Sequence, residues 1–208
     1  MNRYLYCTFR SIFGIWKGKG FIGKSGKDMM GAAYAVYGPR TVLVVAYEDT
    51  NGVRHVLELC LDEDKSWKVS QKDLKIAESK KLFAPANLRA SKDNKGYAAM
   101  MQYWMQEQYT LRYTGGMVPD IHNLIIKGGG VFCNPISESA PAKLRVLYEC
   151  LPLSYVMCAA GGDSIDGCGQ MLDHQLLHHD ERTSICLGSK EEVRLCQNAM
   201  RESSVYLP

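Results

Sequence analysis

Apolar residues come in short β-branched runs through the first third of the chain, and at helical spacing through much of the second half. Ile12–Trp16 is a short apolar strand followed by the Gly/Lys-rich turn Lys17–Gly20. Thr41–Tyr47 is dense in β-branched residues and predicts a strand buried on both faces. Asn51-Gly52 is a hairpin signal, so Val53–Leu61 is the return strand. Between them Met29–Tyr37 predicts a helix stopped by Gly38-Pro39. Leu61–Ser79 is polar and charged, and reads equally as a solvated connector or as a boundary between layers or domains.

In the second half, Tyr97, Met100, Met101 and Trp104 fall at i, i+3, i+4 and i+7 of an amphipathic helix over Asp93–Gln108. That stripe reads as core packing rather than as a cofactor box. Met117–Lys127 is a second helix closed by Gly128–Gly130, and Val131–Cys133 is a strand. A further helix begins near Pro152 and ends at Gly161-Gly162. Thr183–Leu187 is a last strand, and Ser189–Glu192 predicts a capping box for a final helix through Met200. The fold class is therefore α/β, with layered sheets and helices.

The 208 residues and +3 net charge fit one large or two small domains, and neither favour nor exclude an anionic partner. Eight cysteines contain no C-x-x-C pair and lie mostly in apolar runs, so buried reduced thiols are expected rather than a zinc cluster. No apolar run reaches the ~18 residues of a membrane helix, and the N-terminus lacks a secretory h-region. P-loop and nucleophile-elbow motifs are absent.

Three segments could carry chemistry. Leu111–Asp120 places Arg112, Gly115 and Gly116 just before a helix, where free N–H groups, the helix dipole and a guanidinium favour an anion; a simple turn is the alternative. Lys143, Arg145 and Glu149 share one segment, either as a carboxylate for Mg²⁺ beside phosphate-binding cations or as a surface ion pair along a helix. His174, His178 and His179, with Asp173 and Asp180, read as a polar loop rather than a metal cluster.

Taken in order, Arg10–Trp16, Ala33–Gly38, Tyr109–Ile121, Ala142–Glu149, Ala159–Gly162 and Leu187–Ser189 resemble the substrate-side half of the fructose-1,6-bisphosphatase family, across about Phe9 to Met200. Leu111–Met117 and Ala86–Ala90 resemble its sedoheptulose branch, in keeping with Cys133 where the fructose branch carries a tyrosine near the distal phosphate. The resemblance implies a fold of the sugar-phosphatase type divided into residues 1–80, the rest of a metal-side domain, and 81–208, a substrate-binding domain. It implies Mg²⁺-dependent hydrolysis of the C1 phosphate of sedoheptulose 1,7-bisphosphate or fructose 1,6-bisphosphate, in a cytoplasmic protein or a plastid one if a transit peptide precedes it. Glu149 would be a metal ligand and Arg145 would brace it. Asn87, Tyr113 and Lys143 would hold the sugar and its distal phosphate, and Gly115, Gly116 and Met117 would line the pocket. Arg112 would reach a neighbouring subunit's substrate, implying a homo-oligomer, a dimer or tetramer; no nucleic acid or membrane partner is implied. Arg89 is added as a further phosphate contact.

One departure matters. The family's D-P-L-D-G-S motif should precede Phe9, where the chain instead reads Met1–Cys7. Upstream helices bearing further metal ligands are also missing. This predicts no efficient catalysis by the chain alone, an apolar sheet surface left uncovered, and, as the alternative function, a non-catalytic sugar-phosphate-binding or oligomer-partner protein.

Overall fold

The computed structural model describes residues 10–202. The D-P-L-D-G-S position, Cys7 and the C-terminal Val205–Pro208 therefore lie outside the described residues. Five strands, β1 (Arg10–Trp16), β2 (Met29–Val36), β3 (Val42–Glu48), β4 (Arg54–Leu61) and β5 (Trp67–Gln71), form an antiparallel sheet in sequence order. Strands β6 (Leu82–Pro85), β7 (Thr110–Leu111), β8 (Val131–Asn134), β10 (Asp163–Ile165) and β12 (Ile185–Gly188) form a mixed sheet in the order β10-β12-β8-β6-β7. Between them in sequence, β9 (Leu144–Arg145) and β11 (Arg182–Thr183) pair as a small ribbon. The helices are α1 (Lys95–Gln106), α2 (Met117–Lys127), α3 (Leu151–Ala159) and α4 (Lys190–Glu202). The α/β class with layered sheets and helices read from the sequence is thus the observed one.

The mixed sheet is apolar on both faces, as expected where helices cover both. Leu82, Ala84, Phe132, Ile185 and Leu187 point to the side of α2 and α3. Phe83, Val131, Cys133 and Cys186 point to the side of α1 and α4. The other faces of α2 and α3 meet the inward residues Ala32, Tyr34, Val44, Ala46 and Val56 of the antiparallel sheet. Helix α3 is consequently enclosed by two sheets. Its sequence Leu-Pro-Leu-Ser-Tyr-Val-Met-Cys-Ala is apolar all round, and every residue but Cys158 is fully buried, as that position demands. The larger core cluster draws on residues from both sides of position 80.

A charged group faces this core from the antiparallel sheet. Glu58 on β4 is buried, and its carboxylate accepts from Arg40 at 2.7 Å and from the Ser70 hydroxyl at 2.6 Å. His122 on α2 approaches the same carboxylate at 3.9 Å; burial lowers the imidazole's pKa, and its Nδ1 pairs with the Tyr34 hydroxyl at 3.2 Å.

Several local expectations are corrected. Met29–Tyr37 does not form a helix but supplies β2, because tertiary pairing with β1 and β3 overrides the helix preference of its alanines. The connector after Leu61 contains the edge strand β5, solvent-exposed throughout. Lys143–Glu149 is not an α-helix carrying an ion pair; it enters as β9 and passes into a π-turn over Val146–Cys150. Thr183–Leu187 is broken at Ser184 into β11 and β12. The Ser189 and Glu192 side chains turn to tertiary partners instead of a capping box: the hydroxyl accepts the Gly130 N–H at 3.1 Å, and the carboxylate accepts from Ser79 and Tyr109, both at 2.7 Å. Gly188 at φ 151° leaves no room for a Cβ, which would run into the backbone of Gly130.

Candidate functional site

The mixed sheet has a switch point. β6, β7 and β8 run parallel in the order β7-β6-β8. The chain leaving β6 enters α1 on one face, and the chain leaving β7 enters α2 on the other. Adjacent parallel strands whose outgoing connections diverge open a crevice at their carboxyl ends, where ligands of open α/β sheets bind. The loop after β6 carries Asn87 and Arg89, and the loop after β7 carries Arg112, Tyr113, Gly115 and Gly116. Six of the sequence-predicted site residues thus share one edge of one sheet.

These loops are braced locally. Asn87 adopts the left-handed conformation, φ 51°, and donates its side-chain amide to the carbonyls of Pro135 at 2.8 Å and Ala140 at 3.3 Å. Asn tolerates that conformation better than most residues, and here it ties the β6 loop to the β8 loop. The Arg112 N–H donates to Phe83 of β6 at 2.9 Å, leaving its guanidinium exposed apart from a bond to the Leu111 carbonyl. Arg89 is exposed. The Tyr113 ring is 43% exposed, with a hydroxyl pKa raised by its partial burial and by Asp120.

Gly116 is the N-cap of α2 and offers no side-chain cap, so the dipole end of the helix opens onto the loop. A Cβ at Gly116 would meet Arg10 Nη1 at 2.6 Å, which brings a second guanidinium from β1 to the same turn. Met117 is buried at the helix start. Asp120 is also buried; its Oδ1 accepts the Thr114 N–H at 2.7 Å, and its Oδ2 has no partner among the described residues. Burial raises the Asp120 pKa, against the lowering pull of Thr114 and Arg10. Arg10 and Asp120 lie within the sequence motifs, which mark neither as functional. An acidic residue in the first turn of the helix was the only signal for Asp120, and nothing local marks Arg10.

Lys143, Arg145 and Glu149 form a second group. The Glu149 carboxylate accepts the Arg145 backbone N–H at 2.8 Å, and Arg145 Nη1 donates to the Lys143 carbonyl at 3.3 Å. Arg145 Nε is buried without an acceptor, while Lys143 is exposed. Mg²⁺ demands a near-octahedral shell of oxygens. Glu149 brings one carboxylate, already accepting a hydrogen bond. Among the described residues no group of three His, Cys, Asp or Glu side chains forms around it. The residues present do not by themselves fit a magnesium centre.

The histidines read as a polar loop do not converge on a metal either. His174 bridges Asp166 at 2.8 Å and Glu181 at 2.7 Å as an ion triad, and His179 stands edge-on to Phe21. Cys133 is fully buried against the opposite, α1/α4 side of the sheet. A cavity of about 400 Å³ lined by Lys17, Lys27, Asp28, Met29, Met30 and Glu48 includes none of the predicted site residues.

Comparison with known proteins gives the family. Residues 76–201 match the model of the fructose-1-6-bisphosphatase C-terminal domain. The chain is 44% identical over 194 residues to the chloroplastic sedoheptulose-1,7-bisphosphatase of Spinacia oleracea, covering 93% of this chain and 49% of that protein. It is 34% identical over 191 residues to a class 1 fructose-1,6-bisphosphatase of Trichlorobacter lovleyi, covering 88% and 56%. A protein described as a sedoheptulose-1,7 bisphosphatase from Toxoplasma gondii superposes with a TM-score of 0.87 at 37% identity, over 94% of this chain and 67% of that one. The Leishmania major fructose-1,6-bisphosphatase in its T-state superposes with a TM-score of 0.83 at 27% identity, over 93% and 64%. The chain spans about half the length of the curated relatives it matches. It belongs to the fructose-1,6-bisphosphatase family.

Proposed function

We propose that this chain provides the sugar-phosphate-binding half of a sedoheptulose-bisphosphatase, whose complete form removes the C1 phosphate from sedoheptulose 1,7-bisphosphate or, secondarily, fructose 1,6-bisphosphate with Mg²⁺. The observation that carries this reading is the switch-point crevice, where the two loops from β6 and β7 hold Asn87, Arg89, Arg112, Tyr113, Gly115 and Gly116 beside the open end of α2. Guanidinium groups, free helix N–H groups and close glycine backbone together suit a phosphate. Met117 closes the floor, Lys143 adds a cation, and Arg145 and Glu149 supply the edge facing the metal. The division near residue 80 separates a metal-side portion from this binding portion, and Arg112 serves a neighbouring copy in a dimer or tetramer.

Phosphoryl transfer needs metal ions to neutralise the transferred group, and one glutamate cannot hold them. The chain alone therefore binds sugar phosphates without turning them over. The test offers the purified chain sedoheptulose 1,7-bisphosphate and fructose 1,6-bisphosphate with Mg²⁺, reading phosphate release and, separately, binding by calorimetry. Binding without release, weakened at least tenfold in Lys143→Ala, is the expected result. Release at ordinary enzyme rates, kcat of about 1 s⁻¹ or more, refutes the inactivity, and unaltered affinity in Lys143→Ala refutes the binding site.

A further inference from the structure

On the side of the mixed sheet away from the crevice, three cysteines distant in sequence come together. Cys133 lies on β8 and Cys186 directly opposite it on β12, in antiparallel register. Cys196 descends onto them from α4, which packs across both strands. All three are fully or almost fully buried, and their sulfur atoms all lie within 4.8 Å of one another. Their surroundings are apolar: Phe83, Tyr97, Met100, Trp104, Val131 and Ile165 belong to the same cluster. The Tyr97 hydroxyl is turned away to the Ala86 carbonyl at 2.8 Å.

We propose that Cys133, Cys186 and Cys196 form a binding site for one soft monovalent d¹⁰ cation of the copper(I) class, held by three sulfurs. Thiolate sulfur selects Cu(I) and Zn²⁺ over harder ions. Coordination number then separates the two. Zinc sites are four-coordinate, and among the described residues no fourth His, Cys, Asp or Glu joins the trio. Three sulfurs in a plane with metal–sulfur bonds of about 2.3 Å stand about 4 Å apart, and the observed spread needs only a small contraction to reach this.

Metal–sulfur bonds form to the three sulfurs, each S–H proton the metal displaces leaves to solvent, and no electron is transferred. Because the trio is sealed beneath α4, the cation enters as the chain folds or as that helix opens.

The experiment uses the full chain, reduced and under argon, titrated with Cu(I) supplied from an excess of a chromogenic copper(I) chelator. The expected result is one equivalent withheld from the chelator and a copper X-ray absorption spectrum with three sulfur neighbours. That equivalent should vanish in Cys196→Ala and persist in Cys60→Ser/Cys168→Ser, which changes thiols outside the trio. No copper withheld by the native chain overturns the proposal, as does a first shell without three sulfurs. Retention in Cys196→Ala, or loss in the double variant, likewise overturns it. Should Cys196→Ala fail to fold by circular dichroism, Cys133→Ala is read in its place, and the two native-chain measurements decide regardless.

Discussion

The two five-stranded sheets are built from similar proportions of apolar residues and treat their surfaces differently. The mixed sheet buries β6, β8 and β12 almost completely between α1/α4 and α2/α3. The antiparallel sheet buries only its inner face, while Phe13, Ile15, Leu61, Trp67 and Val69 stand between 38% and 56% exposed. An antiparallel sheet with one solvated face ordinarily alternates apolar and polar residues. Here many outward residues of β1, β3 and β4 are apolar, among them Phe13, Ile15, Leu43, Val45, Leu57 and Leu59. The sequence of this sheet is written for cover on both sides, in line with the expectation that an apolar surface is left open. The lesson is that a strand's composition reports the environment it was shaped for, and burial in one chain reports only part of it.

Substitution separates the two sheets most sharply. Phe132, at 1% exposure, touches the core from the middle of the mixed sheet, and Phe132→Ala should cost about 3–5 kcal/mol through the cavity it leaves. Phe13→Ser on the outer face of the antiparallel sheet should change stability by no more than about 0.5 kcal/mol while raising solubility. Urea denaturation of both variants, with light scattering of the second, checks the pair; a large loss from Phe13→Ser would mean that this face is packed in solution. A smaller effect is expected where the mixed sheet meets its crevice. Asp120→Ala removes the acceptor of the Thr114 N–H but also an unpartnered buried oxygen, so a net loss of about 1 kcal/mol is expected, measurable in the same denaturation assay.

The smallest effect compares two imidazoles in the same arrangement. His55, beside the antiparallel sheet, bridges Asp73 at 3.0 Å and Asp49 at 3.2 Å. His174, beside the mixed sheet, bridges Asp166 and Glu181, with its side chain 19% exposed against 29% for His55. Hydrogen bonds to the carboxylates raise the pKa of both imidazoles, led by Asp166 for His174 and Asp73 for His55. Asp166 and Glu181 are lowered despite desolvation, through their bonds to His174 and to backbone N–H groups. A raised histidine gives stability fully present below its unfolded pKa, about 6.5, and lost as pH rises through the folded value; the lowered carboxylates give stability present above about pH 4.5 and lost as pH falls. The His174 triad should therefore stabilise most between about pH 4.5 and 6.5. The Tm difference between the native chain and His174→Gln should peak there and shrink above pH 7. His55→Gln should show a weaker version of that profile, and an equal one would erase the distinction between the two environments.

How much was legible in the sequence follows the range of the forces involved. Helix α2 appears at its predicted limits, because Gly116, Gly128 and an apolar stripe are local signals. The stripe of α1 and the Asn51-Gly52 hairpin were local in the same way, and Tyr97, Met100 and Trp104 are core as expected. Strand β2 was not legible: its small residues favour a helix in isolation, and only pairing on both edges makes it a strand. The crevice was half legible. Its loops announced themselves through Gly115-Gly116 and Arg112, while Arg10 reaches Gly116 from a strand more than a hundred residues away. The three cysteines carry no mutual spacing signal at all, since two sheet strands and a helix assemble them.

Helix α3 has one further consequence. Being apolar on every side and shared by both sheets, it is a common term in two packing equilibria. Loosening either sheet strips cover from the same nine residues, so the free energy of opening one is partly paid by the other. The described chain should therefore lose its structure in a single concerted step rather than sheet by sheet, with α3 amides among the last to exchange with solvent.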